Sequence, residues 1–142
     1  MKKIVVAILI ALMGTVGYAQ EQGQALQLGS GQAKIKFDKV KHNFGTFYDS
    51  SPKVSCVFHF TNEGDGLLVI HQAISSCGCT VPDFPMEPIK PGDGGDITVT
   101  YDGTGRFPGR FKKTVSIRTN SKNELVRLTI EGNMEPAAAE PK

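Results

Sequence analysis

The chain has 142 residues, with 16 lysines and arginines against 14 aspartates and glutamates and a formal net charge of +2. Lys2 and Lys3 supply this whole excess, so the chain after its third residue is formally neutral. Net charge therefore gives no support to nucleic-acid binding or to attachment to an anionic membrane surface.

The first nineteen residues have the layout of a secretory signal peptide. Lys2 and Lys3 precede an uncharged, mostly apolar run over residues 4–16, and Gly17-Tyr18-Ala19 places small residues three and one before a cleavage point. A membrane-spanning helix needs about 20 apolar residues, so this run is too short for a permanent anchor. We expect residues 1–19 to be removed on export, leaving a periplasmic or secreted protein without a membrane span.

Composition divides the remainder into a linker, one domain and a tail. Residues 20–33 are rich in glutamine and glycine and hold too little apolar surface to offset the entropy of ordering, which predicts a flexible linker. Residues 135–142, built from proline, alanine and charged residues, predict a disordered tail. Residues 34–134 between them have the length of a single domain with one core.

The hydrophobic pattern of residues 34–134 has a period of two, which predicts β-strands. It is clearest over residues 54–61, where Val54, Cys56, Phe58 and Phe60 should share the inward face. The turn residues 62–66 end this strand because Asn, Asp and Gly tolerate positive φ.

Two later segments, residues 67–75 and residues 81–92, depart from this alternation. Residues 67–75 are apolar on both faces at their start, which is typical of a central strand. Residues 81–92 contain several prolines without amide donors, which predicts an irregular connector or a broken edge strand.

Further strands are expected over residues 34–37, 42–47, 96–102, 111–119 and 125–131, and no segment has a helical period. About seven short strands with regularly spaced turns indicate an all-β, immunoglobulin-like β-sandwich, with a small barrel as the alternative. The chain has no tryptophan, so the Cys…Trp…Cys core of antibody domains is excluded.

Several short stretches of this region match the pattern of one bacterial family. In chain order they are Phe37-Asp38, His42-Asn43-Phe44-Gly45, Phe58-His59-Phe60-Thr61-Asn62-Glu63-Gly64, Ser76-Cys77-Gly78-Cys79-Thr80-Val81-Pro82, Ile89-Lys90-Pro91-Gly92, Tyr101-Asp102, Gly109-Arg110-Phe111 and Thr119-Asn120. They resemble the exported family called domain of unknown function 1573, and the Cys-Gly-Cys-Thr segment is the most specific part. The resemblance implies an immunoglobulin-like sandwich similar to major sperm protein and Hydin-type modules, and it implies no established activity.

The motif Cys77-Gly78-Cys79-Thr80 allows three interpretations. The first is a structural turn or a disulfide between the two cysteines, since thiols oxidise in exported proteins and Gly78 would let the backbone bend. The second is a copper or zinc site that adds His59 or His71 to the two thiolates. The third is thiol–disulfide exchange, although the usual C-x-x-C spacing and a following helix are missing.

Cys56 is expected to be a buried thiol that behaves as a small core hydrophobe. A bridge from Cys56 to Cys77 is the competing arrangement. If residues 54–61 and 67–75 pair as an antiparallel hairpin, Cys56 lies level with Ala73 or Ile74, so such a bridge would require the chain to fold back.

No motif in the chain points to hydrolytic catalysis or to a bound cofactor: there is no Gly-x-Ser-x-Gly elbow and no His-Glu-x-x-His helix. The basic residues Arg106, Arg110, Lys112 and Lys113 are expected to form a solvated strand end, with an anionic partner as the alternative. We therefore predict a non-enzymatic, exported interaction module without cofactor, whose partner is an envelope protein or a surface polymer. The alternative is a periplasmic thiol-redox or metal-binding protein that uses Cys77 and Cys79.

Overall fold

The computed structural model describes residues 31–138, so the predicted signal peptide, residues 20–30 of the predicted linker and residues 139–142 of the predicted tail lie outside the described residues. The described part contains no helix, and hence none long and apolar enough to cross a membrane. It contains eight strands: β1 (Ile35–Phe37), β2 (Lys41–Tyr48), β3 (Lys53–Asn62), β4 (Ile70–Ser75), β5 (Thr80–Asp83), β6 (Gly94–Asp102), β7 (Gly109–Thr119) and β8 (Leu125–Glu135).

The strands form two four-stranded sheets that share one hydrophobic core. The first sheet has the order β1-β3-β6-β5, and the second has the order β2-β8-β7-β4. Neighbouring strands are antiparallel except β2 and β8, which run parallel. The predicted all-β sandwich is confirmed, and the second sheet shows that the alternative of a small barrel is wrong.

Alternation along β3 and β6 builds the centre of the core. Phe58 lies opposite Ile97 and Cys56 lies opposite Val99, and all four side chains are buried. The intervening residues of β3 face solvent. Full burial of a side chain such as Phe58 stabilises the folded state by about 1.5–3 kcal/mol, which is why the period of two determines the orientation of these strands.

The prediction of a central strand over residues 67–75 is wrong. The strand begins only at Ile70, and β4 is an edge strand whose partner within the described residues is β7. Leu68 is buried outside any strand, where it forms an isolated bridge with Ile89. Leu68 therefore pairs with the proline-rich connector and not with a second neighbouring strand.

The proline-rich connector begins as a short edge strand, which is one of the two forms predicted for it. β5 lies at the outer edge of the first sheet and pairs with β6, with Pro82 opposite Val99. A proline lacks the amide donor that a second neighbouring strand would need, so an edge position is the one that it can occupy.

The described ends of the predicted linker and tail contact the domain. Ala33 is buried and its carbonyl oxygen accepts a hydrogen bond from the amide of Lys122, so the ordered part begins before residue 34. At the other end β8 includes Glu135, and the amide of Ala137 donates to the Asp49 carboxylate over 2.8 Å. Composition missed these contacts because they are made with residues distant in the sequence.

Candidate functional site

The Cys-Gly-Cys turn carries the chain from one sheet to the other. β4 ends in the second sheet and β5 begins in the first, so residues 76–79 cross the edge of the sandwich. The amide of Ser76 donates to the carbonyl oxygen of Thr114 in β7 over 2.9 Å, and the amide of Asp102 in β6 donates to the carbonyl oxygen of Cys79 over 2.8 Å. Backbone hydrogen bonds therefore anchor the turn to both sheets.

Cys77 and Cys79 are joined by a disulfide, with their Cα atoms 5.2 Å apart. Gly78, between them, lies outside the left-handed backbone region, and a Cβ atom added there would have no neighbour within 4 Å. The expectation that a side chain at residue 78 would resist this bend is therefore wrong. Thr80 is buried, and its amide donates to the carbonyl oxygen of Cys77 over 3.1 Å, which closes the turn.

The two sulfurs of the disulfide have different surroundings. Cys79 is buried, with 6% of its surface exposed, whereas Cys77 is only partly buried. The Sγ atom of Cys77 accepts a hydrogen bond from the amide of Cys79 over 3.1 Å and a second one from Nη2 of Arg106 over 3.5 Å. Cys77 is therefore the more exposed of the two cysteines, and its sulfur has the charged donor, whereas Sγ of Cys79 lies 3.8 Å from the Thr80 hydroxyl oxygen.

Arg106 belongs to the loop over residues 103–108, which lies beside the turn. The amide of Arg106 donates to the carbonyl oxygen of Gly103 over 2.9 Å, and the amide of Thr104 donates to the Asp102 carboxylate over 2.9 Å. Gly105 has a φ of 70°, a conformation that a glycine adopts at little cost. These features give the loop a defined turn, on which Arg106 is exposed to solvent, as expected, and also contacts Sγ of Cys77.

Phe107 follows Arg106 and is the most exposed aromatic side chain among the described residues, with 97% of its surface accessible. Residues 49–52 reach the same end of the sandwich, because the amide of Gly103 donates to the carbonyl oxygen of Pro52 over 2.9 Å. We call this end, formed by residues 49–52, 76–79 and 103–108, the disulfide end.

An aromatic cluster lies in the core next to the disulfide end. Tyr101, which is opposite Thr80 in the first sheet, stacks on Phe111 of the second sheet, and Phe47 meets both rings edge-on. Burial raises the pKa of the Tyr101 hydroxyl, and the nearby Arg106 charge opposes this effect. The cluster therefore packs the two sheets against each other next to the disulfide end.

Cys56 lies away from this turn chemistry, as a free thiol in β3 with 7% of its surface exposed. Burial raises its pKa to about 11, although the Lys39 charge opposes the shift. β3 and β4 belong to opposite sheets, so the antiparallel hairpin considered for them is wrong, and so is the bridge between Cys56 and Cys77.

Neither of the two histidines considered as metal ligands, His59 and His71, has a hydrogen bond to Cys77 or Cys79 among the described residues. Nδ1 of His59 is 2.7 Å from Oδ1 of Asp96, and this hydrogen bond raises the pKa of His59. His71 is exposed on β4. Within residues 31–138 no group of three or more histidine, cysteine, aspartate or glutamate side chains is placed to hold a metal ion.

A polar cleft that the sequence reasoning missed lies at the irregularity of β2. Its volume is 580 Å³, and its lining includes Asn43, Arg110, Lys112, Glu131 and Asn133. The pairing of β2 with β8 shifts between Asn43 and Thr46, where the left-handed Gly45 bends the strand. The Asn-Phe-Gly sequence inside a predicted strand was the available signal for this bend.

Comparisons with known proteins agree with this architecture. A protein of unknown function from Porphyromonas gingivalis W83 is 16% identical, with a TM-score of 0.63 and coverage of 78% of this chain and 51% of that one, so the present chain spans about half of its length. The ASH/PapD-like domain 7 of human CEP192 is 12% identical, with a TM-score of 0.60 and coverage of 75% and 88%. The periplasmic chaperone SfaE is 10% identical, with a TM-score of 0.50 and coverage of 77% and 61%.

At these identities the likeness shows the fold, an immunoglobulin-like or PapD-like sandwich. A search of curated proteins finds no match. The family described as "Protein of unknown function (DUF1573)" matches residues 35–134, which include the Cys-Gly-Cys turn, Arg106 and nearly all of the eight strands. That match confirms the resemblance seen in the sequence motifs: the chain belongs to the DUF1573 family.

Proposed function

We propose that this protein is an exported, non-enzymatic interaction module that binds a protein of the bacterial envelope through its disulfide end. The observation that carries the proposal is Phe107, an aromatic side chain that is 97% exposed and follows the hydrogen-bonded turn at residues 103–106. Aromatic and arginine side chains supply most of the binding energy in protein interfaces, and Phe107 directly follows Arg106 in the loop.

The geometry of the loop over residues 103–108 supports a binding role for the exposed Phe107 side chain. A flexible loop would lose conformational entropy when a partner immobilises it. This loop already has one internal backbone hydrogen bond, a second bond from the amide of Thr104 to the Asp102 side chain, and a glycine turn. In sandwich domains the loops at one end are also the common site of recognition, because the sheets hold them rigidly.

Export is part of the same proposal. The amino-terminal charges, apolar run and small residues before Gln20 support a cleaved signal peptide. The Cys77–Cys79 disulfide supports an oxidising compartment, since disulfides persist in secreted and periplasmic proteins and are rare in the cytosol.

The test begins with a photo-reactive amino acid incorporated at residue 107 of the exported chain, or at residue 57 as a control. Val57 is an exposed apolar residue on the outer face of β3, with 46% of its surface accessible. Cross-linking in living cells followed by mass spectrometry should identify an envelope protein from position 107 and not from position 57.

The identified protein is then purified and titrated against the wild type, Phe107→Ser and Val57→Ser. We expect Phe107→Ser to weaken binding by at least about tenfold, and Val57→Ser to change it by less than about twofold. Equal affinities for all three chains would overturn the proposal. A cross-linked product that resists protease and carries glycan would make the partner a surface polymer instead of a protein.

A further inference from the structure

The two cysteines of the Cys77–Cys79 disulfide have unequal surroundings. The two residues differ in burial, because Cys79 is 6% exposed and Cys77 is partly open to solvent. They differ also in their hydrogen-bond partners: the amide of Cys79 and Nη2 of Arg106 reach Sγ of Cys77, at 3.1 Å and 3.5 Å, whereas Sγ of Cys79 lies 3.8 Å from the neutral Thr80 hydroxyl. A disulfide that only braced the turn would require neither difference.

We infer that Cys77 and Cys79 form a thiol–disulfide exchange site, in which Cys77 is the sulfur attacked by thiolates of a dithiol protein or peptide. Helix N-termini usually lower the pKa of such a cysteine, and here a guanidinium and a backbone amide take that position. Arg106 is a positioning residue in this scheme: its charge stabilises negative charge on Cys77 without touching the partner's reacting sulfur.

The exchange balances as two successive substitutions at sulfur. A thiolate of the partner attacks Sγ of Cys77, the bond to Cys79 breaks, and Cys79 leaves with the electron pair and takes up a proton. The second partner thiolate then attacks the partner sulfur of this mixed disulfide, and Cys77 leaves as a thiolate. The partner dithiol loses two electrons and two protons and becomes a disulfide, and Cys77 and Cys79 become thiols.

The turn is suited to this cycle because its shape does not depend on the disulfide alone. The backbone hydrogen bonds from Ser76 to Thr114, from Thr80 to Cys77 and from Asp102 to Cys79 involve no sulfur atom, so we expect them to persist when the sulfur–sulfur bond opens. The buried thiol of Cys79 is therefore held next to Cys77, where it can attack a mixed disulfide and release the partner in the reverse direction.

The first test measures the thiols separately in the full exported chain. Iodoacetamide alkylation of Cys77 in Cys79→Ser is followed across pH by peptide mass spectrometry, and alkylation of Cys79 is followed in Cys77→Ser. We expect Cys77 to react at least about tenfold faster than Cys79 at pH 7, with a midpoint below the ordinary cysteine value of about 8.5. Cys56 serves as the buried internal control in every digest.

Arg106 is tested in the same Cys79→Ser background. Arg106→Gln should move the midpoint of the Cys77 pH profile upward and slow its alkylation several-fold at pH 7. Arg110→Gln is the matched control, since Arg110 is an exposed arginine of β7 that donates no hydrogen bond to either sulfur among the described contacts. Unchanged profiles in Arg106→Gln, or equal changes in both variants, would overturn the role of Arg106.

The second test follows electron transfer from a synthetic peptide with two reduced cysteines to the wild-type chain. The peptide should lose two protons in mass while the Cys77–Cys79 peptide gains two, and Cys79→Ser should accumulate a mixed disulfide at Cys77 when it is mixed with the oxidised peptide. A wild-type disulfide that the peptide leaves unreduced would overturn the inference. Val57→Ser, on the outer face of β3, should exchange at the wild-type rate. The peptide is synthetic and no envelope partner is present, so failure of the docking proposal would leave this result unaffected.

Discussion

The rings of Tyr101 and Phe111 lie parallel, with 3.8 Å between their centroids and 4° between their planes, although they belong to different sheets. Tyr101 is opposite Thr80 at the beginning of β5, and Phe111 is the third residue of β7. The pair thus connects the sheets next to the disulfide end and determines how the two halves of that end face each other.

Phe111→Ala removes this connection. We expect the free energy of unfolding to fall by about 2–4 kcal/mol, because the substitution removes buried aromatic surface and its contacts with Tyr101 and Phe47. Phe107→Ala is the control, with an expected change within about 0.5 kcal/mol, since Phe107 is 97% exposed. Urea unfolding measures both, and equal losses in the two variants would contradict the role of the stacked pair.

Asn62 organises the opposite end of the sandwich. Its side chain is fully buried, donates to the carbonyl oxygens of Gly66 and Ile89, and accepts from the amides of Gly64 and Lys34. Asn62→Ala leaves these groups without partners in the interior, and we expect a loss of at least about 3 kcal/mol in stability.

Asn133→Ala is the matched control for Asn62, because Asn133 makes an exposed hydrogen bond with Glu135. Its expected effect on stability is below about 1 kcal/mol. Thermal unfolding of both variants checks the comparison, and a small loss for Asn62→Ala would mean that water replaces the missing side chain.

Cys56 should behave as a core residue in solution. Cys56→Ser is expected to cost about 1–3 kcal/mol in stability, because it places a hydroxyl among the apolar side chains of β3 and β6, whereas Cys56→Ala adds no polar group and serves as the control. The raised pKa of Cys56, about 11, together with its burial predicts that an aromatic disulfide reagent modifies it only after unfolding. Rapid modification of the native protein at pH 8 would contradict this placement.

His59 and His42 should titrate in opposite directions from the ordinary histidine pKa of about 6.5. The hydrogen bond to Asp96 raises the pKa of His59, and burial followed by the Lys39 charge lowers the pKa of His42. The hydrogen bond between His59 and Asp96 therefore contributes fully to the free energy of unfolding below about pH 6.5, and this contribution is lost as the pH rises through the raised pKa of His59. The pH dependence of the His42 contribution is the opposite. It favours folding above about pH 6.5 and is lost as the pH falls through the lowered pKa of His42.

Proton NMR titration of the two imidazole rings measures both midpoints directly. Asp96→Asn should bring the His59 midpoint down toward its ordinary value and leave the His42 midpoint unchanged. If His59 titrates below His42 in the wild type, the ion pair with Asp96 does not form in solution.

Gly78 and Gly105 should respond differently to the same substitution. Gly78→Ala is expected to change stability by less than about 0.5 kcal/mol, because its backbone is outside the left-handed region and its surroundings are open. Gly105→Ala should cost about 1 kcal/mol or more, since its φ of 70° is unfavourable for a residue with a side chain. Calorimetry of the two variants compares them, and a larger loss for Gly78→Ala would contradict the backbone described for the turn.

Sequence periodicity determined the strand content and the orientation of the strands. The alternation over β3 places Cys56, Phe58 and Phe60 inward, and the structure buries all three side chains. Such a prediction succeeds because side chains on a strand alternate between two faces, so the pattern of apolar residues is a local property of the chain. The turn at residues 62–66 lies where it was predicted, but none of its residues has a positive φ. Its glycines instead allow close packing, because a Cβ atom at Gly64 or Gly66 would overlap a backbone oxygen of residues 31–32.

The neighbours of each strand were decided only by the tertiary structure. The alternation of apolar residues predicts which face of a strand is buried, but it does not predict which strands are its neighbours. A hairpin of β3 with β4 was therefore compatible with the sequence, although β3 pairs with β1 and β6. The contact between Arg106 and Cys77 joins residues 29 positions apart, and it exists because β5, β6 and β7 bring two loops to the same end. The sequence alone thus identified the Cys-Gly-Cys turn, whereas the unequal access and hydrogen bonding of its two sulfurs arise from long-range packing that no local pattern encodes.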